Sequence, residues 1–286
     1  MQLFFLGDVN ATPFITAFTE LKKELKIPNN LQIYVLQHRN YGYLILKKLP
    51  LQARKAFQQA LAARTSFSYH YRNKDFLVFY LTSTKKHFMH DKTYIKGLLL
   101  HEITHSIHFK KHLYTTIHKS FSTYYLKKLS KIRLATTKKN IMIAVGQQAC
   151  LLLKDWYVNT ELIRKGYAAT LIDYYLKDFT HTKTCPQPLF YKKLRKAVQK
   201  NPEILLNTFA FEFALFSFLT PLISIHTPKA LKLKQHIEQC YNFNLEELER
   251  KLQPLLGLYE EHFNTGITFQ EKFFTLIFDK ALELLL

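Results

Sequence analysis

Lys96-Gly97-Leu98-Leu99-Leu100-His101-Glu102-Ile103-Thr104-His105-Ser106-Ile107 is the stretch from which the rest of the chain is read. On a helix, residues four apart lie on one face, one turn above the other. His101 and His105 can then both aim an imidazole nitrogen at one metal ion. Glu102 follows the first histidine by one residue, about a hundred degrees round the helix. That places a carboxylate beside the metal, where it can take a proton from a water held there. Glu102 is the single charge in 97–107, and Leu98, Leu99, Leu100, Ile103 and Ile107 are apolar. Burying polar groups without partners costs ~1–3 kcal/mol each, and a metal supplies the partner. The bland alternative is a chance pair of core histidines in a chain that has 13 of them.

The stretch resembles the active-site helix of zincin metallopeptidases. The resemblance implies that His101 and His105 bind one zinc ion and that Glu102 is the general base. A third ligand would come from further along the chain.

Upstream, Phe14, Phe18, Leu21 and Leu25 share one helix face after Pro13. Leu31–Leu36 reads as a strand, Tyr43–Leu46 as another, and Pro50 opens a helix to about Arg64. Ser66–Tyr71 and Phe76–Thr82 read as strands joined by a tight turn at 72–75. The motif helix is expected from Asp91, a good N-cap, to about Lys110. A helix and a small sheet before that motif are the order of a zincin N-terminal half. A zincin cleft also needs an edge strand to pair with an extended peptide, and Phe76–Thr82 is the expected one. His108 lies seven residues from His101, ~10.5 Å along the axis at ~1.5 Å per residue. Zinc–nitrogen bonds are only ~2.0–2.1 Å long, so His108 is a strained third ligand on an unbroken helix. His108, His112 and His118 are read as solvated or partly packed.

The third ligand is sought in Cys150-Leu151-Leu152-Leu153-Lys154-Asp155-Trp156-Tyr157-Val158-Asn159-Thr160-Glu161-Leu162. Asp155 and Asn159 are four apart, and Asp155 sits between a leucine run and the single Trp. A carboxylate in apolar surroundings needs a metal, a base or a hydrogen-bond network. This spacing resembles the predicted metallopeptidase domains found beside von Willebrand A-like modules, where an Asp-aromatic-x-apolar-Asn stretch follows the HExxH helix. By that resemblance Asp155 is the third ligand. Glu161 and Glu212 remain open, since zinc accepts either carboxylate. A surface ion pair with Lys154 is the ordinary reading of Asp155.

From 113 onward the pattern is helical, with breaks at 136–137, Gly166, 186–188, Pro221, Pro228 and Gly266. The expected class is therefore α+β, mostly α. A zincin-like core over 1–166, with a small mixed sheet and the HExxH helix, precedes a helical subdomain over 167–286. The apolar segment 204–225 is nearly long enough to span a membrane, but Asn207, Glu212 and Pro221 favour a buried core helix.

The chain carries 41 basic and 21 acidic residues, a net charge of +20. Such a balance suits an anionic partner, nucleic acid or an anionic membrane surface, or simply a solvated basic exterior. Three cysteines far apart, Cys150, Cys185 and Cys240, argue against a disulfide framework. With no basic segment opening the N-terminus, a cytoplasmic setting is expected. The function expected is zinc-dependent hydrolysis of a peptide or protein substrate. The alternatives are a nucleic-acid-associated protease resembling the Spartan-type DNA–protein crosslink proteases, or a non-catalytic helical binding protein.

Overall fold

The computed structural model describes residues 2–63, 66–71, 74–80, 90–180, 191–209, 225–241 and 267–286. The chain is mostly helical with one four-stranded mixed sheet. It forms two compact units, interleaved in sequence: Met1–Lys111 with Lys165–His181, and His112–Arg164 with Thr182–Leu286. The division expected at 166/167 does not coincide with these units. Gly166 marks a true break between helices, but the helix after it packs back on the first unit.

In the first unit, β1 (Gln2–Leu6), β2 (Leu31–Leu36), β3 (Ser66–Tyr71) and β4 (Lys74–Tyr80) lie in the order β1-β2-β4-β3. β1 and β4 run parallel to β2, while β3 runs antiparallel to β4 with Phe67 opposite Val78. Helix α1 (Thr12–Glu24) makes the crossover between the parallel strands β1 and β2, as parallel pairing demands. Ile33-Tyr34-Val35-Leu36 and Phe76-Leu77-Val78-Phe79 are all buried, because helices cover both faces of the sheet. Tyr34, Leu36, Phe76 and Val78 pack on Phe57 and Leu61 of α3 (Leu51–Ala63). The opposite face meets α1, where Phe14 lies 6.4 Å from Phe79, centroid to centroid.

Two expectations are corrected here. Tyr43–Leu46 is not a strand but part of helix α2 (Gly42–Leu46). Gly42, Ile45 and Leu46 are buried while Tyr43 and Leu44 face out, a helical period that a four-residue apolar run does not reveal. A Cβ at Gly42 would meet Leu61 Cδ2 at 2.3 Å, so glycine lets α2 approach α3 without moving the Leu61 side chain. Phe76–Thr82 is also not an edge strand. Its described part, within β4, is interior, and the edges are β1 and β3. β3 alternates polar residues in Ser66-Phe67-Ser68-Tyr69-His70, as a half-exposed edge strand does.

Helix α4 (Lys92–Lys110) carries the motif. Asp91 caps it, its Oδ1 accepting from Thr93 N at 3.0 Å and Tyr94 N at 3.1 Å, and Lys177 pairs with the same carboxylate. Burial pushes the Asp91 carboxyl up, but Lys177 and the two amides outweigh it, and the net pKa is lowered. A carboxylate with a lowered folded-state pKa adds stability above its unfolded pKa and loses it as pH falls through the folded value. Asp91→Ala is expected to destabilise the protein by about 1 kcal/mol near neutral pH. The gap from wild type should narrow as pH falls below the ordinary carboxylate range, as a series of thermal melts from neutral to acid pH would show; a gap independent of pH would remove the carboxylate from this role.

Helix α8 (Ala168–Thr180) packs on α4. The described elements of the second unit are helices: α5 (Leu113–Ser120), a π-helical turn (Phe121–Leu126), α6 (Lys127–Ser130), α7 (Thr136–Arg164), α9 (Tyr191–Lys200), α10 (Pro228–Tyr241) and α11 (Ile267–Leu285). Its core is aromatic, with Phe121 on Phe274, Tyr125 on Phe278 and Trp156 on Phe269, centroids 5.7, 5.1 and 4.9 Å apart. Cys150 is buried there as a free thiol, its pKa pushed up to about 12 by burial. No helix among the described residues is long and apolar enough to cross a membrane. Most of 204–225, with Glu212, and all of Cys185 lie outside the described residues.

Candidate metal centre

A helix apolar all round has to be buried, and α4 is: Tyr94, Ile95, Leu98, Leu99, Leu100 and Ile103 are inaccessible or nearly so. Its polar residues go in with them. His101 is 8% exposed, Glu102 7%, His105 7% and Ser106 0%.

The two motif histidines converge. His101 Nε2 and His105 Nε2 are 3.1 Å apart, with the rings nearly perpendicular at 78°. Two nitrogens each ~2.05 Å from one ion, at a tetrahedral angle of about 109°, are about 3.3 Å apart. The pair therefore already has the spacing of two ligands on one zinc. The far nitrogen of His101, Nδ1, lies 3.4 Å from Tyr175 Oη on α8. A metal-binding histidine commonly donates its second ring N–H to an oxygen, which fixes the tautomer and the ring plane. Tyr175 is in place to accept such a bond, which would leave Nε2 to face an ion.

Neighbours on α8 and α4 shape the apolar side of the centre. Tyr94 Oη donates to Asp178 Oδ1 at 3.0 Å. Tyr174 is buried, and burial, then Asp178, Tyr94, Tyr175 and Glu102, raise its hydroxyl pKa well above the ordinary value. Tyr174 is thus a neutral phenol within the field of Glu102. On the sheet side, Ser106 Oγ donates to Asp75 Oδ1 at 3.0 Å, and His70 Nδ1 lies 2.7 Å from the same oxygen. His70 stacks on Phe109, centroids 4.2 Å apart and 9° from parallel. The turn of α4 beyond His105 is thereby tied to the β3–β4 pair.

Apart from Glu212, which lies outside the described residues, each candidate site residue named from the sequence has a defined place. His101, Glu102 and His105 share the buried part of α4 in the first unit. Asp155 is half-buried on α7 in the second unit, between Lys154 and the buried Trp156, with the buried Asn159 one turn on. Glu161 is half-buried on the same helix. His108 corrects an expectation: it is not solvated but 3% exposed, while His112 and His118 are exposed. His112 ends the helix at φ 59, a left-handed conformation histidine adopts more readily than most side chains. The chain therefore turns after α4 without a glycine.

Sequence reasoning passed over Tyr175, Asp75 and His70. Tyr175 sits in an amphipathic helix like many others, and only the packing of α8 on α4 gives its hydroxyl a partner. Asp75 had one signal: an acidic residue directly before the apolar run Phe76-Leu77-Val78-Phe79. Comparisons of the chain with protein-family models, curated proteins and solved structures give no match. The chemistry of these side chains alone carries the functional reading.

Proposed function

We propose that this protein is a zinc-dependent peptidase in which His101, His105 and Asp155 hold the ion and Glu102 is the general base. The observation that supports it most is the 3.1 Å approach of two imidazole Nε2 atoms on a buried helix that carries a carboxylate at the next position. Asp155 enters on its chemistry and its setting: a carboxylate on α7, half-buried beside Trp156 and Asn159. Three protein ligands are the complement of a catalytic zinc site, which keeps one position open.

Bound zinc supplies a Lewis acid that polarises a carbonyl and acidifies water. The rest belongs to the chain. The Glu102 carboxylate takes a proton from the attacking water and passes it to the leaving amine nitrogen as the C–N bond breaks. One water is consumed, and one acid and one amine are released. Tyr175 holds the His101 ring. Burial of α4 keeps bulk water from the base. Among the described residues β3 is an edge of the sheet, and an extended peptide can add to a sheet edge.

Zinc per chain, measured by mass spectrometry on protein purified without added metal, tests this reading. Wild type is expected to hold about one zinc and His101→Ala/His105→Ala none. Asp155→Ala is expected to bind zinc at least tenfold more weakly in competition with a chelator. Wild type that holds no zinc even when zinc is offered would remove the metal, and the peptidase with it. Unchanged affinity in Asp155→Ala would move the third ligand elsewhere.

A further inference from the structure

Charge is distributed unevenly along the chain. From Ile103 to Lys154 there is no Asp or Glu, while ten Lys and Arg occur: Lys110, Lys111, Lys119, Lys127, Lys128, Lys131, Arg133, Lys138, Lys139 and Lys154. The fold satisfies some of these. Lys128 pairs with Asp279 of α11, Lys138 donates to the carbonyl of Leu285 at 2.7 Å, and Lys154 lies 3.1 Å from His118 Nε2. Lys127, Lys131, Arg133 and Lys139 are exposed, and no acidic side chain among the described residues pairs with them.

These four sit together for a structural reason. α6 ends at Ser130, α7 begins at Thr136, and 131–135 reverse the chain between them. Lys131 N and Ile132 N bond back to the carbonyls of Lys128 and Leu129, closing the end of α6. Tyr125 Oη donates to the carbonyl of Met142 at 2.7 Å, which holds the two arms side by side. At ~1.5 Å per helical residue, Lys127 and Lys139 stand only ~6 Å back from the tip along their arms. Four cations therefore cap one end of a helical hairpin. Ser130, Thr136, Thr137 and Asn140, all exposed, lie among them as uncharged hydrogen-bond donors.

We infer that this hairpin tip docks on the phosphate backbone of a nucleic-acid duplex without reading its sequence. A duplex offers one negative charge per ~1.7 Å of axis, a density that a cluster this tight can meet. Hydroxyl and amide donors among the cations are the residue types that bond phosphate and sugar oxygens. A membrane-docking face adds apolar side chains that enter the lipid. The exposed large hydrophobics of the described residues, Ile15, Tyr43, Leu44, Leu51, Leu151, Leu231 and Leu286, all lie outside 119–140. A single-strand groove stacks bases on exposed aromatics. The aromatic nearest the tip in sequence, apart from the buried Tyr125, is Tyr124, half-buried and bonded to Glu271.

The test is fluorescence anisotropy of the full chain with short DNA and RNA duplexes, single strands of the same sequence and phosphatidylserine vesicles. About four phosphate contacts predict a slope of log affinity on log salt near −3.6, and so roughly a 100-fold loss between 50 and 200 mM salt. Lys127→Ala/Lys131→Ala/Arg133→Ala/Lys139→Ala is expected to bind duplex at least tenfold more weakly and to lose most of that slope. Removing four exposed charges elsewhere, Lys22→Ala/Lys23→Ala/Lys47→Ala/Lys55→Ala, should leave affinity within threefold. The inference is overturned if no duplex binds at 50 mM salt, if the two variants lose affinity equally, or if single strands or vesicles bind while duplex does not. Whether zinc is bound bears on none of these readouts.

Discussion

Glu102→Gln is expected to keep zinc at the wild-type level while lowering peptide hydrolysis by roughly 10²–10⁴-fold, the range assigned to a general base. Glutamine has nearly the shape of glutamate and can still hydrogen-bond, but it cannot take a proton at neutral pH. The substitution therefore removes one chemical capacity and leaves the packing of a residue that is 7% exposed. The paired readout separates the roles. Hydrolysis of a quenched fluorescent casein reports the base, and zinc per chain reports the ligands. Activity retained in Glu102→Gln would take Glu102 out of the proton transfer. Activity lost together with zinc would make Glu102 part of the metal's support rather than its base.

Gly97→Leu is expected to destabilise the protein by about 3 kcal/mol, the upper part of the usual overpacking range, and to weaken zinc binding although residue 97 touches no ligand. A Cβ at Gly97 would stand 2.5 Å from Tyr174 Cβ and 3.2 Å from the carbonyl oxygen of Thr170. Neither is the loose end of a flexible side chain, so α4 and α8 would have to part. Tyr175, the next residue on α8, holds His101 Nδ1 and would move with them. Thermal melts and chelator competition on the same variant check both effects. A melting temperature within a degree of wild type, or zinc affinity unchanged in a destabilised variant, would show that the α4–α8 contact does not position the histidine. Gly97→Ala places the same Cβ with no larger side chain and should show a smaller version of both effects.

Much of the first unit was legible because its signals are local. Asp91 as N-cap and the end of α4 at Lys110 follow from capping chemistry and apolar patterning, and both ends hold. The β3–β4 hairpin follows from two β-rich runs around a turn, but Lys74 and Asp75, expected in the turn, pair within β4 opposite Tyr71 and His70. The misreadings come from information that a local window lacks. Tyr43–Leu46 is too short to show its period, and a residue it packs near, Leu61, lies nineteen residues from Gly42. Whether β4 is an edge depends on β2, whose pairing register from Leu31–Asp75 onward no stretch of β4 encodes. The histidine pair was readable from a spacing of four, whereas Tyr175 was not. It reaches His101 across 74 residues, and no periodicity links them.

The placement of α8 with α4 has a consequence for how the protein is made. Residues 168–180 are translated some seventy positions after Lys110. At 5–20 residues per second, about 4–14 s separate the two on the ribosome. Through that interval the histidine helix has no Tyr175 to orient it, and the face that will carry Gly97 against Tyr174 stays open. A nascent chain that stalls between Arg164 and Tyr167 would present that apolar face to chaperones.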